Sequence, residues 1–240
     1  MRNLSIVVEY DGTAFYGWQQ QPDKRTVQGE LETVLGKITG EEIKLTAAGR
    51  TDQGVHALGQ VANFHTESQL DLDAIKNGAN SMAGDDLHIK DIAVVPEDFN
   101  SRYWAKSKVY EYHLTFEPSP FRTRYTWYLK QPLDIARMRA AIPSLTGKRD
   151  FSHFSVRNGS ALAVCDVRDI TLAGASTEVV IRVEGDRFLR KMVRGIVGFL
   201  VDVGRGRFAV NSAAEIFSGA RQDINFAPAQ GLFLVSVSYE

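Results

Sequence analysis

One cysteine stands in 240 residues, and that scarcity removes several classes of protein at the outset. Cys165 has no second thiol in the chain for a disulfide and none for a cysteine-rich metal centre, which suits a reducing compartment. The five histidines are scattered without the spacing that holds a metal ion, so no metal site is expected. No glycine-rich stretch ends in Gly-Lys-Ser or Gly-Lys-Thr, which excludes the common nucleotide-phosphate loop. Gly204-Arg205-Gly206-Arg207 reads as a helix-ending turn instead. The most apolar run, Ile196 to Val201, falls far short of the roughly 20 residues that a membrane-spanning helix needs. Met1 leads straight into the strand-like Leu4 to Tyr10, with no apolar leader, so a cytoplasmic location away from membranes is expected. Neither sign of charge dominates: 28 Lys and Arg against 29 Asp and Glu leave a net charge of −1. A nucleic-acid partner would have to be held by clustered cations, not by total charge.

What is present is the composition of a soluble globular protein, with 44% hydrophobic and 24% charged residues in a length that suits one large domain or two small ones. Thr26 reads as a helix N-cap, and Val27, Leu31, Val34, Leu35 and Ile38 fall on one helical face before Gly40 stops the helix. Strands are expected at Leu4–Tyr10, Ile43–Ala48, Gly59–His65 and Leu87–Val95, with a second helix over Leu72–Asn80. The order β-α-β-β-α-β is the split βαβ pattern. Pro96 to Trp104 breaks the periodicity and predicts a boundary, giving domains 1–105 and 106–240. In the second, Lys106–Phe116 alternates with Tyr110 and Tyr112 on one face. Leu133–Leu145 reads as a helix, Val164–Leu172 and Glu178–Val183 as strands, Arg187–Val203 as the clearest helix, and Leu232–Tyr239 as a final strand. The fold expected is α+β: two domains with mainly antiparallel sheets and helices on one face, in RRM- or ferredoxin-like halves, with an active-site cleft between them.

Chemistry concentrates in Gly49-Arg50-Thr51-Asp52-Gln53-Gly54-Val55-His56-Ala57, a connection between two expected strands. An Asp two residues before a Gly is ordinarily turn chemistry. Arg50, two residues before Asp52, makes the stretch less ordinary, because a turn would bring a fixed cation beside the carboxylate. A second cation is offered by the expected helix from Arg187. Arg187, Arg190, Lys191 and Arg194 crowd its N-terminal half, where each positive charge opposes the helix dipole by up to about 1 kcal/mol. Phosphates or a carboxylate are their natural partners. Arg194 is the candidate to face Asp52, while Arg187, Arg190, Lys191, Arg205 and Arg207 form a candidate RNA-phosphate patch.

These strings resemble the TruA family of tRNA pseudouridine synthases. The likeness rests on Gly49-Arg50-Thr51-Asp52 with Gly54-Val55-His56-Ala57 and Gln60-Val61, on Phe188-Leu189 with Met192-Val193-Arg194 and Ile196-Val197-Gly198, and on Lys106-Ser107-Lys108-Val109-Tyr110-Glu111-Tyr112. Gly17-Trp18-Gln19, Gln21-Pro22, Thr26-Val27-Gln28, Arg102, Ala227-Pro228 and Gly231-Leu232 extend it along most of the chain. The resemblance implies that Asp52 is the catalytic residue and that Arg194 pairs with it. It also implies that Tyr110 stacks on a flipped uracil, and that the enzyme is a homodimer acting on uridines 38, 39 and 40 of the tRNA anticodon stem-loop. Conversion of uridine to pseudouridine is redox-neutral and needs no cofactor. The target base must leave its stack, which calls for an aromatic platform and a cationic wedge, with Tyr110 and Arg50 as candidates. Leu232 is a candidate wall of the uracil pocket. Whether a carboxylate adds to the base or to the sugar stays open. Two positions depart from the family pattern: Ser101 replaces a usual alanine, and Arg149 a common histidine. The competing class is a non-catalytic RRM-like RNA-binding protein, which accounts for the aromatics and the basic clusters but not for an acid among arginines.

Overall fold

Leu4, Ile6, Val8 and Tyr10 alternate along the first strand, and all four are buried in the computed structural model, which describes residues 1–156, 163–174 and 177–240. In chain order the elements are β1 (Arg2–Tyr10), α1 (Val27–Thr39), β2 (Thr46–Ala47), β3 (His56–Thr66), α2 (Leu72–Met82), β4 (Leu87–Val95), β5 (Ser107–Thr115), β6 (Trp127–Tyr128), α3 (Ile135–Ala141), β7 (Gly147–Asp150), β8 (Val164–Gly174), β9 (Glu178–Gly185), α4 (Met192–Gly204), α5 (Ala213–Phe217) and β10 (Leu232–Ser238). The protein is α+β and forms two compact units, Met1–Lys106 with Phe233–Glu240, and Ser107–Leu232.

The strands of the first unit lie in the order β4-β1-β3-β10, with β2 also on the edge of β3. β1 is antiparallel to both its neighbours, and β10 joins β3 in parallel through Phe233↔His56 and Leu234↔Ala57. As a central strand β3 is buried on both faces: Gln60, Ala62 and Phe64 are sealed on one side and Val61 and Asn63 on the other. The Thr26 hydroxyl accepts from the Gly29 amide at 3.2 Å, and Gly40 closes α1 in the left-handed conformation at φ 75°. α1 packs on α2, and α2 on β4. The expected strand Ile43–Ala48 shrinks to Thr46–Ala47. Ile43 and Leu45 are still buried, but the strand pairing with β3 is limited to Thr46 and Ala47, followed by one bond from the Ala48 amide to the Val61 carbonyl at 2.8 Å.

In the second unit the order is β5-β9-β8-β7, antiparallel throughout, with β6 parallel to β5. α3 packs against α4, whose residues are all buried except Arg194. Gly195 and Gly198 allow α4 to lie this close to its surroundings. A Cβ on Gly198 would lie 1.6 Å from the Asn225 carbonyl oxygen, and one on Gly195 2.2 Å from that of Phe154. α4 begins later than its sequence pattern suggests. The expected helix from Arg187 starts at Met192, because Lys191 takes φ 60° and cannot continue a right-handed turn. Arg187, Arg190 and Lys191 therefore precede the helix and do not occupy its first turns.

Candidate active site

The Asp52 loop is built by tethers to the residues around the aspartate. The Gln60 side-chain amide donates to the Gly49 carbonyl at 2.9 Å, and the Trp18 amide donates to the Thr51 carbonyl at 3.1 Å. The Tyr10 hydroxyl and Thr51 Oγ1 are 2.8 Å apart in a buried hydrogen bond. Beyond the aspartate, the Val55 amide donates to the Asp52 carbonyl at 3.2 Å, with Gly54 at φ 76°. Residues 52–55 thus form a β-turn with a glycine at its third position, where a positive φ is required.

Two glycines outside the loop let other backbone reach it. Gly17, at φ 86°, would put a Cβ 2.7 Å from the Thr51 carbonyl oxygen and 3.1 Å from the Gln53 nitrogen. At Gly12 a Cβ would lie 2.0 Å from the Val55 carbonyl oxygen. The aromatic loop Phe15–Pro22 is therefore a buttress of the Asp52 turn. Phe15 and Trp18 are buried against Tyr10, each with its ring centroid 6.3 Å away. His56 is also buried; its Nδ1 accepts from the Gly12 amide at 3.1 Å, and its ring stacks on Phe233 at 4.6 Å. Asp52 itself is half-exposed between these fixed neighbours. Arg50 does not make the expected pair with it: the guanidinium is exposed and forms no ion pair with any described residue.

In the second unit, β5 places Tyr110 opposite Val183 of β9, with its ring edge-on to Phe188 at 5.2 Å and 86°. Tyr112, two residues along on the same face, is fully buried and donates from its hydroxyl to the Pro228 carbonyl at 2.8 Å. Burial pushes the Tyr112 hydroxyl pKa far up, opposed by the nearby Arg194 charge. Arg194 is fixed from both its ends. Its Nε donates to the Ala227 carbonyl at 2.6 Å, and its own carbonyl accepts from the Ala227 amide at 3.0 Å. Gly231 leaves room for Tyr112, whose Cζ a Cβ there would approach to 2.7 Å, and Leu232 follows, buried. Segment 227–232 is thus held to both Arg194 and Tyr112.

The five cations of the expected phosphate patch fall into two groups. Arg187, Arg190 and Lys191 lie before α4; Arg205 and Arg207 lie after it, about 20 Å away along a helix of 13 residues. Arg205 lies over the Trp127 ring at 5.6 Å. Arg207 holds the buried Asp202 at 2.8 Å and Asp223 at 2.9 Å. Among the described residues no cluster of His, Cys, Asp and Glu could hold a metal ion, and no helix is long and apolar enough to cross a membrane. Tyr10, Gly17 and Gln60 were not singled out as site residues by the sequence. The signal for Gly17 lies in the Gly-Trp-Gln string, which looks like an aromatic cap on a core edge until its glycine is seen against Thr51 and Asp52, whereas Tyr10 reads only as the end of a strand and Gln60 only as part of the Gln60-Val61 string.

The sequence that builds these elements has counterparts in known proteins. The model of a family described as tRNA pseudouridine synthase matches residues 6–104 and 141–240. Asp52 and Arg194 fall inside the matched stretches, and Tyr110 falls between them. Relatives cover that gap. The chain is 42% identical over 243 residues to tRNA pseudouridine synthase A of Chlorobium limicola, and 38% identical over 254 residues to that of Thermodesulfovibrio yellowstonii, with all of each chain covered in both cases. The chain belongs to the tRNA pseudouridine synthase family.

Proposed function

We propose that this protein isomerises uridine to pseudouridine at positions 38, 39 and 40 of the tRNA anticodon stem-loop, with Asp52 as the nucleophile. The observation that carries the proposal is the clamped turn: a half-exposed carboxylate whose preceding and following residues are both fixed. Placing a reacting group in this way removes orientational freedom before the substrate arrives. The reaction breaks the N1–C1′ bond, turns the uracil and joins C5 to C1′. C5 loses its proton and N1 gains one, so substrate and product are isomers and no cofactor is needed. Asp52 adds either to the base or to C1′ of the sugar, and either route gives the same balance.

The other residues take roles around that step. Tyr110 stacks on the flipped uracil, Arg50 enters the space the base has left, Arg194 pairs with Asp52, and Leu232 walls the pocket. Arg187, Arg190 and Lys191 contact phosphates, with Arg205 and Arg207 as a second set. These roles require a cleft between two RRM- or ferredoxin-like domains that brings Asp52, Tyr110 and Arg194 together. The proposal includes a cytoplasmic homodimer in which one tRNA spans both subunits.

The test is release of tritium from tRNA labelled at uridine C5. Asp52→Asn is expected to release none while keeping its affinity for tRNA, because the carboxylate serves the chemical step. Substantial turnover by the pure variant would remove Asp52 from the mechanism, and failure of the unaltered protein to release tritium would leave an RNA-binding module.

A further inference from the structure

We propose that Tyr10 is a positioning residue for the reaction, holding Asp52 in place through the hydroxyl of Thr51; this rests on the role given to Asp52 above. The Tyr10 ring needs no hydroxyl to fill its place in the core. It is 3% exposed and packed by Phe15 and Trp18, an environment in which phenylalanine would serve. A hydroxyl carried into such a site is costly unless it is bonded. Here its partner is Thr51, the residue immediately before Asp52, at 2.8 Å. Gln60, fully buried, holds the Gly49 carbonyl of the same loop through its side-chain amide at 2.9 Å.

The pairing of β1 with β3 is irregular beside this contact. Along β1 and β3 the register runs Val7↔Val61 and Val8↔Gln60, but Tyr10 then pairs with Ala57 and not with Leu58. One extra residue on β3 has been taken up between Val8 and Tyr10, the irregularity that re-aims side chains at the ends of strands beside sites. A β-branched threonine has few side-chain rotamers. Fixing its Oγ1 by Tyr10 and its carbonyl by the Trp18 amide therefore sets the direction in which the chain enters Asp52.

Tyr10→Phe keeps the ring and removes only this bond. The measurements are the single-turnover rate of tritium release, tRNA affinity and melting temperature on the same preparations. A loss of about 10–100-fold in rate at unchanged affinity is expected, since a displacement of about 1 Å at the reacting group costs on the order of 10²-fold. Thr51→Val should reproduce that loss, and Thr51→Ser, which retains Oγ1, should restore most of the rate. The double variant Tyr10→Phe/Thr51→Val should be no slower than the slower single variant, because both remove one interaction. Should Tyr10→Phe fail to fold, the Val and Ser variants of Thr51 read the same bond from its other end. A wild-type rate for Tyr10→Phe, or rates that fall only with the folded fraction, would overturn the inference. With Asp52→Asn inactive in the same assay, that result sinks the positioning role alone, whereas an active Asp52→Asn overturns both.

Discussion

The smallest residues of the site carry much of its specification. Gly17 adopts φ 86° and leaves no space for a Cβ beside the Thr51 carbonyl. Gly17→Ala is therefore expected to cost about 1–3 kcal/mol from backbone strain alone. It should also slow the chemical step, because the backbone that must yield is that of Thr51 to Gln53. Urea unfolding and single-turnover kinetics on one preparation would show both losses, and a variant normal in both would mean that the two loops separate freely. Tyr110 poses a different problem at the same scale, since a tyrosine buried at 7% exposure against Phe188 is also an ordinary core residue. If it stacks on uracil and relays a proton, Tyr110→Phe should bind tRNA normally and react about 10²–10⁴-fold more slowly. Tyr110→Ala should lose affinity as well, by about 1–3 kcal/mol. A core role alone predicts lower melting temperatures for both variants and activity in proportion to folded protein.

At the scale of the element, α4 separates the cations that sequence places together. Alanine at Arg187, Arg190 or Lys191 should lower the logarithmic salt dependence of tRNA binding by about 0.7–0.9 for each phosphate no longer neutralised. Arg207→Ala should differ. It leaves Asp202 buried with only Asn225 beside its carboxylate among the described residues, and about 1–3 kcal/mol of stability is expected to go with it. Filter binding across a salt series, together with thermal melts, distinguishes the two effects. Unchanged slopes at all three N-terminal positions would move the phosphates elsewhere. The same helix marks the limit of what periodicity can reveal. Leu189, Met192, Val193 and Ile196 continue one apolar stripe, so nothing in the pattern announces the left-handed Lys191 that delays the start to Met192. The first unit was readable because its signals are local: Thr26 caps, Gly40 terminates, and β4 has the expected bounds of Leu87 and Val95. β7 was not readable. Gly147 to Asp150 are polar and wholly exposed, and their pairing with β8 depends on residues distant in sequence. Asp52 was legible as a residue, but the tethers that fix it arrive from β1, from the Gly17 loop and from Gln60, and no spacing rule encodes them.

For the whole molecule, the proposed homodimer is the claim with most bearing on how a tRNA is held. Sedimentation equilibrium at micromolar concentration is expected to give twice the mass of 26.7 kDa, and a monomer under those conditions would remove the second subunit from tRNA binding. The return of β10 to the first unit bears instead on the order in which the chain acquires its shape. Phe233 and Leu234 pair with His56 and Ala57, the residues where the strand after the Asp52 turn begins. Tyr239 donates to the Ser101 carbonyl at 2.9 Å, and the Lys106 amide to that of Ser238 at 2.8 Å. The unit that leaves the ribosome first is thus completed last. Its sheet stays open at β3 through synthesis of the entire Ser107–Leu232 unit, and it closes only across a very long loop. A nascent chain long enough to contain Asp52, Tyr110 and Arg194 still lacks the strand that braces the start of β3, so competence for catalysis should appear only once β10 (Leu232–Ser238) has emerged.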